Sequence, residues 1–173
     1  LQNYYWPSVI NDVAPQFTIG NELVYKYDDE ISFFGGNEYL NFDTKDLRSP
    51  SAAISSVNLT DLYNHYLFTD IFRYDRPYTY FPDINGDFVV RTLQGDDSSR
   101  EAEYSYVHFS LPYKEEIGLN DVYVFGKFNN YNLTDENKMS FNAENGLMEA
   151  TIKMKQGFYN YKYVLKNSDN QID

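Results

Sequence analysis

The sequence has no cysteine, and this absence removes three kinds of chemistry at once. Disulfide bonds, zinc sites built on thiolates and cysteine nucleophiles are all excluded. Basic residues are also few, because 14 Lys and Arg stand against 26 Asp and Glu, for a formal net charge of −12. A chain with this charge repels phosphate backbones, so nucleic acid is not an expected partner.

Long apolar runs and catalytic motifs are missing as well. No run approaches the ~20 residues that a membrane-spanning helix requires, so we expect no membrane-spanning segment. There is no Gly-x-Ser-x-Gly elbow, no phosphate-binding glycine loop and no His-Glu-x-x-His motif. The two histidines, His65 and His108, have no partner motif, and a structural role is expected for them. We therefore predict a protein that is not an enzyme, with no catalytic residue, metal site or cofactor.

One acidic stretch invites a comparison with calcium-binding loops. Asp83, Asn85 and Asp87 occupy alternate positions, as the first ligands of such a loop do. The sixth position is Phe88 instead of glycine, and the twelfth is Gln94 instead of glutamate. An Asn-Gly pair between apolar runs is also a strong signal for a type I′ turn. We prefer the turn interpretation over the calcium interpretation.

What the sequence does contain is aromatic residues, which make up 18% of the chain and include 18 Tyr and 13 Phe. Such residues suit the pleated, half-buried surface of a β-sheet. Apolar and polar residues alternate in several short runs, as expected for strands with one buried face. The sets that line one face of a predicted strand are Ser105, Val107, Phe109 and Leu111; Met148, Ala150, Ile152 and Met154; and Tyr159, Tyr161, Tyr163 and Leu165.

The first half of the chain is less regular. Residues 16–27 are predicted to form one strand with a kink at Gly20, and residues 61–73 suit either a helical turn or a strand. Residues 95–100 are rich in turn formers, and we place a domain boundary there. The predicted fold is all-β, with two immunoglobulin-like or early-set β-sandwich domains at 1–100 and 101–173. The first is expected to be incomplete if its partner strands lie outside this sequence.

The segment from Val122 to Leu165 resembles starch- and glycogen-binding modules with an early-set immunoglobulin-like fold. The resemblance is carried by Val-Tyr-Val-Phe-Gly-Lys-Phe-Asn-Asn-Tyr at 122–131, Met-Glu-Ala at 148–150, and Gly-Phe-Tyr-Asn-Tyr-Lys-Tyr at 157–163. Tyr131 stands where those modules carry a sugar-stacking tryptophan, and no tryptophan follows Leu165. The resemblance implies the candidate partner- or glycan-binding residues Asn130, Tyr131, Tyr159, Tyr161 and Lys162.

A second resemblance covers nearly the whole chain. Its segments, in order, are 17–25, 34–39 with 42–43, 83–88, 104–109 and the module described above. The first two segments each contain Gly-Asn-Glu, which either fixes a bend or contacts a partner. Together they resemble the C-terminal half of the type IX secretion system plug-protein family of Bacteroidetes. That family is thought to occlude the outer-membrane translocon barrel from its periplasmic side, and no catalytic residues come with it.

The second resemblance implies a non-enzymatic protein-binding component at the inner, periplasmic face of the outer membrane. Its expected partner is the translocon barrel protein. The sequence begins with Leu1 and not with methionine, so we interpret it as a fragment whose signal peptide lies outside it. The alternative is a carbohydrate-binding module of a cell-envelope protein, with a glycan as partner. An exposed patch that joins Tyr131 with Tyr159 or Tyr161 would favour that alternative.

Overall fold

A computed structural model describes residues 17–24, 39–73, 82–93 and 97–168. The chain divides into two compact units, Leu1–Gly36 (with Asp173) and Asn37–Ile172. In the first unit, β1 (Phe17–Ile19) and β2 (Glu22–Val24) pair antiparallel around a turn at Gly20, where φ is +61°. The predicted single kinked strand is therefore wrong, because the chain reverses at Gly20.

The described residues of the second unit form two sheets. Its strands are β3 (Leu40–Asp43), β4 (Ile54–Leu59), β5 (Tyr63–Leu67), β6 (Phe88–Val90), β7 (Tyr104–Pro112), β8 (Asp121–Phe125), β9 (Ser140–Asn142), β10 (Leu147–Lys155) and β11 (Gly157–Lys166). One sheet has the order β4-β5-β7-β10-β9, and only its β5–β7 pair is parallel. In the other sheet, β11 lies between β3 and β6 and also pairs with β8 along its second half.

The predicted alternation of buried and exposed residues is present in the long strands. Along β7, every second residue from Ser105 to Leu111 is buried, and the predicted inward positions of β10 are buried or half-buried. Their apolar side chains meet Phe42, Tyr159 and Tyr161 in one core. The all-β sandwich prediction is confirmed. The stretch at 61–73 contains β5 and not a helical turn.

Helical structure in the described ranges is confined to single turns. These are an α-helical turn at Ser98–Glu101 and 3-10 turns at Glu115–Ile117 and Lys127–Asn129. No helix among the described residues is long and apolar enough to cross a membrane.

Strands from both halves of the sequence share the two sheets. β3 and β6 pair with β11, and β5 pairs with β7, so the division expected near residue 100 falls inside the second unit. The turn formers there connect β6 with β7, and the Asp97 side chain accepts a hydrogen bond from the Ser99 backbone at the start of the helical turn. A run of turn formers thus marks a connection between strands here.

The step from β10 to β11 carries the chain from one sheet to the other at Gln156 and Gly157. The Gly157 N–H donates to the Thr44 hydroxyl, and the Thr44 N–H donates to the Gly157 carbonyl. A Cβ atom on Gly157 would lie 2.4 Å from the carbonyl oxygen of Val89. Only glycine permits this close approach of β6 and β11.

Candidate functional site

Two of the sequence segments that carry the resemblances meet at Asn160, in the middle of β11. The first is the turn from Ile84 to Asp87, in which the Asp87 N–H donates to the Ile84 carbonyl at 3.1 Å. Both central residues have positive φ, 55° at Asn85 and 79° at Gly86, which defines the predicted type I′ turn. The apolar run just before it, at 78–81, lies outside the described residues.

Asn160 fixes this turn onto the sheet. Its side-chain oxygen accepts hydrogen bonds from the N–H groups of Ile84, at 2.6 Å, and Gly86, at 3.3 Å. Its own N–H donates to the Asp87 carbonyl at 3.1 Å. The residue is fully buried, and its side-chain nitrogen has no hydrogen-bond partner. Asn160 therefore holds the turn against β11, and the sequence pattern did not identify it for this role.

The carboxylates of the turn accept hydrogen bonds from N–H groups of the protein. Asp83 accepts from the backbone of Tyr39 at 2.6 Å and of Asn85 at 2.8 Å. Asp87 accepts from the Phe88 backbone and from the Lys127 ammonium group, both at 2.8 Å, and these bonds lower the pKa of Asp87. These contacts agree with the turn interpretation. No group of three or more metal-ligating side chains occurs in the described part of the chain.

The second converging segment is the tight turn that follows β8. A Cβ atom on Gly126 would lie 2.6 Å from the Phe128 ring and 2.7 Å from the Asn160 carbonyl oxygen. The Lys127 N–H donates to the Gly86 carbonyl, which joins this turn to the type I′ turn. Asn130 and Tyr131 both have left-handed backbone conformations, with φ of 53° and 57°. The Gly-Lys-Phe-Asn motif thus serves close packing.

The predicted glycan-binding residues do not form one exposed surface. Tyr159 and Tyr161 are each only 2% exposed, whereas Asn130 is exposed and Tyr131 is half-buried against Phe125. The ammonium group of Lys162, also half-buried, lies 4.1 Å from the centre of the Tyr39 ring.

Tyr159 is a central element of the core. Its ring lies 5.3 Å, centre to centre, from both Phe42 and Phe88, and its hydroxyl donates to the Lys155 carbonyl at 2.6 Å. Burial raises the pKa of Tyr159 to about 12. Because the Tyr159 ring faces are covered by protein, they offer no platform to a sugar.

A half-buried carboxylate links the two sheets. Asp70, in the segment after β5, accepts hydrogen bonds from the hydroxyls of Tyr161 at 2.8 Å and Tyr163 at 2.6 Å, both on β11. Burial raises the pKa of Asp70, although both hydroxyls and the nearby charge of Arg73 oppose the shift. Burial also raises the pKa of both tyrosines. The contact holds the segment after β5 against the second sheet.

The two histidines lie on opposite faces of the five-stranded sheet. On the outer face, His108 stacks on Tyr66 and its ring nitrogens lie 2.9 Å from the side-chain oxygens of Asn64 and Thr151. On the inner face, His65 is fully buried beside Val107, and neither of its ring nitrogens has a hydrogen-bond partner. Both residues serve packing, as expected from the sequence.

The comparison with solved structures shows what this chain is similar to. The chain is similar to a hypothetical protein from Parabacteroides merdae ATCC 43184, known from a crystal structure, with 30% sequence identity and a TM-score of 0.76. The match covers 80% of this chain and 35% of that chain, so this chain spans about a third of that protein's length. No family model and no curated protein matches the sequence.

Proposed function

We propose that this chain is part of a type IX secretion system plug protein. It would act as a non-enzymatic component that occludes the outer-membrane translocon from the periplasmic side. The observation that carries the proposal is the ordered set of segments that resemble that family. It is supported by 30% identity to a protein from Parabacteroides, a member of the Bacteroidetes. The proposed location is the inner face of the outer membrane, and no cofactor is part of the proposal.

The geometry around Asn160 supports a scaffold role for the shared segments. The two turns and β11 direct their polar groups toward one another, because the carboxylates of Asp83 and Asp87 accept hydrogen bonds from within the chain. Groups arranged in this way stabilise a rigid framework. A rigid framework suits a protein that fills or covers an opening by its shape.

The surface offers apolar side chains for a protein contact. The exposed large apolar residues of the second unit are Leu59, Phe68, Ile71, Val89, Leu93, Tyr104, Tyr113, Leu119 and Phe141. Tyrosines such as Tyr104 and Tyr113 are among the residue types that contribute most to the binding energy of protein interfaces. The glycan-binding alternative receives no such support, because Tyr159 and Tyr161 are core residues.

The proposal is tested by affinity purification. Tagged full-length protein and the tagged 173-residue chain are used in parallel on solubilised outer membranes of the source bacterium, and mass spectrometry identifies what they recover. We expect the large translocon barrel with the full-length protein, and with the chain if the chain holds part of the contact. Membranes from cells that lack the barrel serve as the control. Absence of the barrel from the full-length sample would reject the proposal.

A further inference from the structure

The strand β4 forms one edge of the five-stranded sheet, and none of the described residues pairs with its outer side. Its sequence, Ile-Ser-Ser-Val-Asn-Leu, contains no charged residue and no proline. The exposed residues of this strand are Ser55, Ser56, Asn58 and Leu59. The exposed fraction of Leu59 is 64%. This edge therefore presents unpaired backbone N–H and carbonyl groups to solvent.

The other described sheet edges are shorter or flanked by charge. β9, at the opposite edge of the same sheet, has only three residues. In the second sheet, β3 and β6 have four and three residues, and an ion pair of 2.6 Å joins Asp43 at the end of β3 to Arg91 just after β6. Short edges and charged side chains are the usual protection against strand addition. β4 is longer than these edges and has no charged side chain. Its bulge between Ile54 and Ser56 affects only its first residues.

One exposed apolar side chain, Leu59, lies at the end of the β4 edge. A strand added along β4 would span about 20 Å, at about 3.3 Å per residue. It would gain main-chain hydrogen bonds along its length and an apolar contact with Leu59 at one end.

We propose that β4 accepts an extended strand of a partner protein, which adds to the five-stranded sheet. The net charge indicates which kind of strand binds there. Two copies of a chain with a net charge of −12 repel each other, so pairing of β4 with a second copy is disfavoured. An uncharged strand flanked by lysine or arginine complements both the edge of β4 and the acidic chain. The identity of the partner as the translocon barrel rests on the function proposed above.

Site-specific photo-crosslinking tests this contact in the full-length protein. A photoreactive amino acid replaces Ser56 on β4 or, as the matched control, Ser140 on β9, so that the two edges of one sheet are compared. We expect a crosslink to the barrel from position 56 and none from position 140. If the wild-type protein recovers the barrel but position 56 forms no crosslink to it, the edge contact is rejected while the proposed function stands. A crosslink from position 56 to a second copy of this chain would reject the proposed occupant.

A pair of charge variants gives an independent measurement. Ser56→Lys and Ser140→Lys add the same charge at exposed positions on opposite edges of the sheet. We expect Ser56→Lys to weaken recovery of the barrel by about tenfold, or about 1.4 kcal/mol, and Ser140→Lys to leave it unchanged. Denaturant unfolding of both variants separates lost binding from lost folding. Equal effects of the two variants on recovery would contradict the proposal. Failure of the wild-type protein to recover the barrel would instead reject the proposed function.

Discussion

The side-chain oxygen of Asn160 lies 2.6 Å from the backbone nitrogen of Ile84, a residue 76 positions earlier in the chain. The same oxygen receives the N–H of Gly86, so one buried amide holds the type I′ turn against β11. Turns are usually fixed by their own residues, whereas this one is fixed by a strand of the second sheet. The turn and β11 are therefore expected to lose their structure together.

Replacement of Asn160 tests this link. Asn160→Ala leaves the N–H groups of Ile84 and Gly86 without their acceptor, and we expect a loss of about 1–3 kcal/mol in the free energy of unfolding. Asn132→Ala, at an exposed position, is the matched control and is expected to change that free energy by about 0.5 kcal/mol or less. Urea unfolding followed by tyrosine and tryptophan fluorescence measures both. Equal stability of the two variants would refute the role of Asn160 in holding the turn against β11.

Two tyrosines separate a core role from a sugar-binding role. Tyr159→Ala removes a ring that lies between Phe42 and Phe88, and we expect it to cost about 3–5 kcal/mol of stability. Tyr131→Ala removes a half-buried ring and is expected to cost about 1 kcal/mol or less. Native gel electrophoresis with glycogen in the gel is expected to show no retardation of the wild-type chain. Retardation that Tyr131→Ala abolishes would restore the glycan-binding alternative.

The two histidines predict opposite mutational effects. Burial lowers the pKa of His65 below its usual 6.5, so the unfolded chain binds a proton more readily than the folded chain. His65 therefore costs stability as the pH falls below about 6.5. His65→Leu removes two buried ring nitrogens without partners, and we expect it to raise the free energy of unfolding by about 1 kcal/mol at pH 7 and by more at pH 5.

His108→Leu is the matched control on the other face of the sheet. It removes the contacts to Asn64 and Thr151, and we expect a loss of about 1–2 kcal/mol at pH 7. Chemical unfolding of both variants between pH 5 and 8 makes the comparison. A destabilising effect of His65→Leu equal to that of His108→Leu would contradict the unsatisfied state of His65.

Asp70 predicts a dependence on pH in the acidic range. Because its pKa in the folded chain is raised above the usual 3.8, the folded chain binds the proton more tightly than the unfolded chain. The wild-type chain therefore loses stability from Asp70 as the pH rises through 3.8 to the raised pKa. Asp70→Asn keeps an acceptor for the two tyrosine hydroxyls and cannot ionise. Its stability relative to wild type is expected to increase over that pH range.

The variant Asp61→Asn is expected to show the opposite dependence of stability on pH. Hydrogen bonds from Thr60 and from the backbone lower the pKa of this exposed carboxylate, so the wild-type chain gains stability from it as the pH rises toward 3.8. The stability of Asp61→Asn relative to wild type is therefore expected to decrease as the pH rises to 3.8, whereas that of Asp70→Asn increases above 3.8. Thermal unfolding at several pH values from 2 to 7 measures both variants. The same pH trend in both would show that the raised pKa of Asp70 does not contribute to stability.

Features that depend on neighbouring residues could be predicted from the sequence. The buried faces of β7 and β10 follow from alternation, and the type I′ turn follows from the Asn85-Gly86 pair. Features that depend on distant residues could not. The parallel pairing of β5 with β7, and the placement of β3 and β6 on β11, arise from contacts between segments far apart in the chain.

The candidate site shows the same limit at the level of single residues. Asn160 and Lys162 both alternate with tyrosines along β11, yet Asn160 is fully buried and Lys162 is half-buried. Aromatic residues at every second position suit a sugar platform and a core equally well, and here Tyr159 and Tyr161 belong to the core. The orientation of β11 between its neighbours decides the outcome, and that orientation is a property of the assembled sheets.

The position of β11 in the chain also has a consequence for synthesis. β3, β6 and β8 all pair with β11, and all three leave the ribosome before it does. At about 5–20 residues per second, the stretch between Val90 and Gly157 takes about 3–13 s to translate. During that interval the aromatic-bearing strands β3 and β6 lack their pairing partner and are open to aggregation, and β8 joins them once it is translated. Synthesis from the N-terminus thus delays completion of the second sheet. A chaperone that shields these strands would bind them before β11 emerges.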